Sequence, residues 1–388
     1  MKMFPPDFLW GAVTSAYQVE GGNKNDWSEL ASRRSGWPDA GKACDHYRLF
    51  KEDFDLAKSL GHNAHRFSIE WSRIEPEEGK FNEEEFKHYE EVIRALKERG
   101  FEPFVTLWHF TLPIWFAKKG GWLNKDSARY FERYVAKVAE TYKHLGIKFW
   151  ITINEPEIYT LNSYFRGKWL PNRRNPFFCC RVTKNLIRAH KRAYGVIKKS
   201  VPYAEVGLVK NNSYFEPYGS NPWNKILSSL ANNIWNHYFL RRVRGSYDFI
   251  GLNYYFHNRV NWKFNQNENK SISDIGCEIY PEGLYRVLMD LKRYKKPIYI
   301  TGNGLADAKD VKRAKFIENH LRAASQAMKD GVDLKGYFYW SLMDNFEWNK
   351  GFAPRFGLVE IDYKTFRRSV RSSAMEYKKI IENRLVEV

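Results

Sequence analysis

Glu155 is the residue in this sequence best placed to move a proton. It stands in Ile151-Thr152-Ile153-Asn154-Glu155-Pro156, after an apolar run of strand type and directly before a proline. A carboxyl at such a strand end can act as a general acid or base. Other polar residues sit at the ends of comparable runs: Gln18 beyond the first, Arg66 in the second, His109 after the third, Asn253 and Tyr255 at the sixth, and Glu347 with Trp348 beyond the eighth. Together they supply the fixed donors and acceptors that a hydroxyl-rich ligand needs. Taken singly, each has a plainer reading: His109 as a satisfied core histidine, Arg66 as a buried structural partner, any one Trp as core. The weight lies in their ordered recurrence at strand ends.

Strand ends collect into one site only if the strands are parallel and close on themselves. Short β-rich runs alternate with amphipathic helical patterns along the whole length, which is the signature of βα units around a parallel sheet. Eight candidate strands fall near 8–12, 65–69, 104–108, 149–153, 206–209, 249–253, 297–301 and 336–341. Eight parallel strands in one chain predict a closed α/β barrel, a single (β/α)8 TIM barrel spanning 1–388, with its site at the C-terminal strand ends. Two helices are explicit in the spacing. Asn82 caps one, with Phe86, Tyr89, Val92, Ile93 and Leu96 as its stripe and Gly100 as its stop. Asp310 is expected to cap another, with Ala314, Ile317, Leu321, Ala324 and Met328 before Gly331. Residues 258–269 read as a polar loop after the sixth strand.

Composition narrows the classes further. The 388 residues are 43% hydrophobic and 28% charged, which is the balance of a folded chain rather than a disordered one. Aromatic residues make up 17%, including 14 Trp, a supply of flat rings that suits the apolar faces of sugars as well as a core. The formal charge of +18 raises nucleic acid as a partner. The basic residues are dispersed, however, and no nucleic-acid motif accompanies runs such as Arg241-Arg242-Val243-Arg244, so no nucleic-acid role is expected. Cys44, Cys179, Cys180 and Cys277 lack metal or disulfide spacing, so neither a metal nor another cofactor is expected. No apolar run reaches membrane-spanning length and no signal segment opens the chain, which reads as cytoplasmic; peripheral membrane contact and oligomeric state stay open.

Several longer motifs coincide with one family. The segments 8–21 (FLWGAVTSAYQVEG), 66–73 (RFSIEWSR), 108–113 (WHFTLP), 152–156 (TINEP), 249–255 (FIGLNYY), 339–348 (YWSLMDNFEW) and 355–359 (RFGLV) resemble glycoside hydrolase family 1, the β-glucosidase and β-galactosidase family, over essentially the full length. The resemblance implies a retaining β-glycosidase that takes small-molecule β-glycosides. It makes Glu155 the acid/base, with Asn154 on the sugar 2-hydroxyl. Gln18, His109, Trp340, Glu347 and Trp348 would bind the non-reducing sugar, and Arg66 and Tyr255 would flank the nucleophile. Glu347 also favours a plain sugar over a 6-phosphorylated one, because its carboxylate repels phosphate. Glucosides and galactosides are not distinguished. Residues 166–174 and 258–269 are expected to rim the entrance, with Trp169 favouring alkyl or aryl groups.

The chain departs from the family at one position. The pattern Thr-Glu-Asn-Gly is Thr301-Gly302-Asn303-Gly304 here, so the nucleophile position holds glycine. Retaining hydrolysis uses that carboxylate to form a covalent glycosyl-enzyme. With every other motif residue present, Gly302 reads as an introduced Glu→Gly substitution that leaves a pocket beneath the anomeric carbon and converts a hydrolase into a glycosynthase. The alternative is a natural sugar-binding pseudoenzyme, which would not need Glu155. A basic surface-binding protein using the barrel as a scaffold is the remaining reading.

Overall fold

The computed structural model describes residues 2–386; residues 1, 387 and 388 of the expected single unit lie outside the described residues. Eight parallel strands form a closed barrel: β1 (Leu9–Val13), β2 (Ala64–Ser68), β3 (Glu102–Thr106), β4 (Phe149–Asn154), β5 (Glu205–Asn211), β6 (Phe249–Asn253), β7 (Ile298–Asn303) and β8 (Leu334–Trp340). They pair in chain order and β8 returns to β1, Trp340 lying opposite Val13. This is the TIM barrel that the sequence predicts. The third strand ends earlier than expected, because its ladder with β4 stops at Thr106 opposite Ile151.

The barrel is closed from within by aromatic side chains. Phe104, Phe149, Phe249, Tyr299 and Phe338 form one buried cluster with Val13, Ala64 and Val209, so every strand contributes. The Phe104 and Phe149 rings stack with centroids 4.2 Å apart and planes 6° apart. Each such burial stabilises the fold by about 1.5–3 kcal/mol. Room for these rings comes from β5, where a Cβ on Gly207 would meet the Phe249 ring at 2.6 Å. This plug fills the barrel, so a ligand can enter only above it, at the strand ends.

The helix Glu83–Glu98 forms as the spacing predicts, with the Asn82 side chain accepting from the backbone N–H groups of Glu84 and Glu85. The helix Arg313–Lys329 also forms, but Asp310 is not its cap. Asp307 Oδ2 accepts from the N–H groups of Lys312 and Arg313 at 2.7 and 3.0 Å. Asp310 instead accepts from the Ser373 N–H and hydroxyl at 3.0 and 2.6 Å and tethers the C-terminal helix Ser372–Asn383. The expected loop 258–269 is partly strand: His257–Val260 pairs in parallel with Tyr214–Pro217, outside the barrel. Among the described residues no helix is long and apolar enough to cross a membrane.

Candidate active site

A cavity of about 330 Å³ opens at the C-terminal ends of the strands. Gln18, Arg66, His109, Asn154, Glu155, Asn253, Tyr255, Trp340, Glu347 and Trp348 all line it. Nine residues read from strand ends, and Trp340 from the family resemblance, are thus brought to one surface. Of the expected rim, Arg166, Lys168 and Trp169 are in place. The second rim segment is 273–279 rather than 258–269, because residues 257–260 are drawn into the outer strand pair.

Glu155 leaves β4 with φ 41° and ψ 62° and begins the short helix Pro156–Thr160. A non-glycine residue in this left-handed region costs about 1–3 kcal/mol, a strain typical of functional positions. Its Oε1 accepts two amide bonds, from Asn253 Nδ2 at 2.5 Å and Asn211 Nδ2 at 3.0 Å. Burial pushes its carboxyl up to about 7; the nearby Glu157 adds to the rise, while the two amides and Arg66 oppose it. Glu155 is therefore near half-protonation at neutral pH, where a group can both give and take a proton.

Arg66 anchors the floor. Its guanidinium donates to Asn154 Oδ1 at 2.5 Å, to the Thr301 carbonyl at 2.8 Å and to the Thr106 hydroxyl at 3.2 Å. Burial pushes its pKa down to about 10, against the pull of Glu155 and Tyr255. His109 is held well below its ordinary range by burial and by Arg66, so its ring is neutral. That ring lies nearly parallel to Trp340 and Trp348, each centroid 6.2 Å away. These three rings make an apolar wall beside polar donors, the pairing that sugar rings require.

Opposite the floor, Gln18 Nε2 donates to the Phe346 carbonyl at 2.7 Å and reaches Glu347 Oε2 at 3.4 Å. Its Oε1 accepts from Ser15 at 2.7 Å, which fixes the amide orientation. Glu347 is pushed up to about 7 by burial and then by Glu155, with Lys350 and Gln18 opposing. Trp348 packs on Trp27 and Trp169 at centroid distances of 5.1 and 5.4 Å, and the Trp169 indole donates to Asn349 at 3.0 Å.

Gly302 does not open a pocket, contrary to the expectation from sequence. It is buried in β7 and is not among the residues that line the cavity. A Cβ there would lie 2.6 Å from Asn253 Oδ1 and 2.8 Å from the Tyr255 hydroxyl. The Asn253 amide is held in this place by Thr301, whose hydroxyl donates to Oδ1 at 2.9 Å, and by its own bond to Glu155. Two side chains lie over the glycine.

Asn211 also lines the cavity and was not among the residues read from the sequence. It ends β5 as Asn154 and Asn253 end β4 and β6, so the strand-end rule had the signal to find it.

The model of glycosyl hydrolase family 1 matches residues 1–274 and 236–385. β-Glucosidase A of Thermotoga maritima is 35% identical over 447 residues, covering 100% of this chain and 99% of the relative. The β-galactosidase of Pyrococcus woesei is 28% identical over 499 residues, covering 98% of this chain and 97% of the relative. Among solved structures, the β-glycosidase from Pyrococcus horikoshii is 40% identical with a TM-score of 0.94, covering 100% of this chain and 97% of that one. The β-glucosidase from Thermotoga maritima in complex with glucoimidazole is 33% identical with a TM-score of 0.95 and full coverage of both chains at 100%. With the family model spanning nearly the whole chain and the barrel superposing on solved members, this chain belongs to glycosyl hydrolase family 1, a family of glycoside hydrolases.

Proposed function

We propose that this protein is a β-glycosidase of the retaining type, exo-acting on β-D-glucosides or β-D-galactosides, whose hydrolysis is impaired by glycine at the nucleophile position. The observation that carries this reading is the asymmetry of the site. Glu155 keeps its amide partners and a pKa near neutrality, while β7 presents Gly302 between Asn253 and Tyr255. Without a carboxylate there, no covalent glycosyl-enzyme forms.

Transfer from an α-glycosyl fluoride remains open to such a site. Glu155 takes the proton of an acceptor hydroxyl, the acceptor oxygen bonds to the anomeric carbon, and the carbon–fluorine bond breaks with fluoride leaving on the β7 side. The β-linked product then persists, because its cleavage needs the missing nucleophile. Since Asn253 and Tyr255 close over Gly302, fluoride departure requires their side-chain ends to move aside. That same closure favours a second reading, a protein that binds sugars without turning them over.

The deciding experiment measures aryl β-glucoside hydrolysis by the chain and by Gly302→Glu, with α-glucosyl fluoride plus an acceptor sugar run alongside. A silent chain, an active variant and β-linked product support the first reading. An inactive variant that still binds sugar would replace it with the second.

A further inference from the structure

Behind Glu155 lies a buried assembly that the reaction scheme does not use. Glu157, two positions on, forms an ion pair with Lys210 at 2.5 Å, and the exposures of the two side chains are 10% and 1%. The Glu157 carboxylate also accepts the backbone N–H of Asn211. On its other side, Asn211 accepts the Trp235 indole N–H at its carbonyl at 2.7 Å, and Lys210 Nζ donates to the Trp235 carbonyl at 3.1 Å. Asn211 is therefore gripped at its N–H by a charged acceptor and at its carbonyl by an indole. Charge-assisted bonds in a low-dielectric interior are short and directional, so such a grip leaves the residue little freedom.

What the grip holds is the side-chain amide. Asn211 Nδ2 donates to Oε1 of Glu155, the same oxygen that Asn253 Nδ2 reaches. Two N–H donors on one carboxyl oxygen leave no room for a proton there. The proton must then be carried on Oε2.

We propose that Asn211, held by the Glu157–Lys210 pair and Trp235, is a positioning residue that keeps Glu155 Oε1 as an acceptor and so fixes Oε2 as the oxygen that exchanges protons with the glycosidic or acceptor oxygen. The proposal rests on the acid/base role given to Glu155 above. Besides Asn211 and Asn253, the charged or titratable groups around Glu155 are Glu157, which raises its pKa, Arg66, which lowers it, and Glu347, Tyr255 and Lys210, which feel its charge. The acidic neighbour Glu157 can stay ionised this close to the acid/base only because Lys210 answers it. Burial of an unpaired carboxylate would instead favour its neutral form and release Asn211.

The test follows the Glu155 carboxyl itself, by ¹³C NMR of protein labelled at glutamate, with Glu155→Gln to assign the resonance. Asn211→Ala removes a donor to the ionised form, so the Glu155 midpoint should rise by about one pH unit. The double variant Glu157→Gln/Lys210→Met keeps an acceptor for the Asn211 N–H and removes both charges, and should move the midpoint by less than half as much. No shift in Asn211→Ala, or no shift in the double variant, overturns the proposal. A second readout uses the Gly302→Glu background. There Asn211→Ala should lower kcat/KM about 10–100-fold on alkyl β-glucosides, whose leaving group needs a proton, and less than about 3-fold on dinitrophenyl β-glucoside, whose leaving group does not. Equal losses on both substrates would mean Asn211 serves only the fold. If Gly302→Glu is inactive on both, the proposed function fails instead, and the NMR result in the unaltered chain still decides the role of Asn211.

Discussion

The ends of β4 and β7 meet at one side chain, Asn253, and are furnished in opposite ways. At β4, Glu155 carries an ionisable carboxyl surrounded by groups that shift it, two amides, Arg66 and the Glu157–Lys210 pair. At β7, Gly302 carries nothing, and Asn253 and Tyr255 press to within 2.6 and 2.8 Å of where its Cβ would stand. Arg66 serves both ends. Its three hydrogen bonds all go to neutral oxygens, those of Thr106, Thr301 and Asn154. Burying a guanidinium with no anion among its hydrogen-bond partners is costly, and burial brings its pKa down to about 10 despite the pull of Glu155. The cation that would accompany a nucleophilic carboxylate is in place beside a glycine.

If this asymmetry governs activity, restoring the lost side has the largest effect. Gly302→Glu should raise aryl β-glucoside hydrolysis by about three orders of magnitude or more, read as kcat/KM. An increase under tenfold would mean that the closed side chains, not the missing carboxylate, limit the site. Emptying the other side comes next. Glu155→Gln keeps the shape but removes the base, and should lower transfer from α-glucosyl fluoride about 10²–10⁴-fold, assayed as fluoride release with acceptor present.

Protonation separates the two ends more finely. In the proposed transfer Glu155 acts as a base and must be ionised, so transfer from the fluoride by the unaltered chain should rise with pH through about 7 and then level off. In Gly302→Glu it must first act as an acid and be protonated. The restored carboxylate adds a like charge that raises Glu155 further, so hydrolysis should fall only at a pH above about 7. Profiles of kcat/KM for both proteins check the sign. A profile that falls with pH in the unaltered chain would remove Glu155 from the role of base.

Much of this was legible in the sequence because it is local. The apolar runs that became β1 to β8 carry their own signal, and so does the helix Glu83–Glu98 with Asn82 before it. The strand-end residues Gln18 to Trp348 needed only the rule that barrel sites gather at one face. What was not legible depends on partners far along the chain. Asp310 sits where a cap belongs by spacing, but its φ of 58° turns it toward Ser373, and Asp307 reaches round the turn to take the cap. Lys210 lies just past the expected fifth strand, and its buried partner Glu157, in the short helix after β4, is more than fifty positions away in the sequence. The closure over Gly302 is a matter of side-chain placement in Asn253 and Tyr255, some fifty residues earlier in the sequence. A missing side chain is visible in sequence; how its neighbours fill the space is not.

The smallest expected effect is the sharpest probe of that difference. The Tyr255 hydroxyl lies 2.8 Å from the Cβ position of residue 302, close enough to donate to a carboxylate placed there. In the unaltered chain there is no carboxylate to receive it, and burial and the charge of Glu155 keep the phenol protonated by raising its pKa well above the ordinary value. Tyr255→Phe should then change the affinity for a neutral sugar less than about 3-fold, since only a neutral hydroxyl is lost. In the Gly302→Glu background the same substitution removes a bond to an ionised group and should cost about 1.5–3 kcal/mol in kcat/KM, a loss of roughly 10–150-fold. Sugar affinity read in all four proteins closes a double-mutant cycle, and the coupling between positions 255 and 302 is the quantity to read. A coupling near zero would mean that the hydroxyl remains against its present neighbours when the carboxylate returns, and that the β7 end is built for closure rather than for a nucleophile.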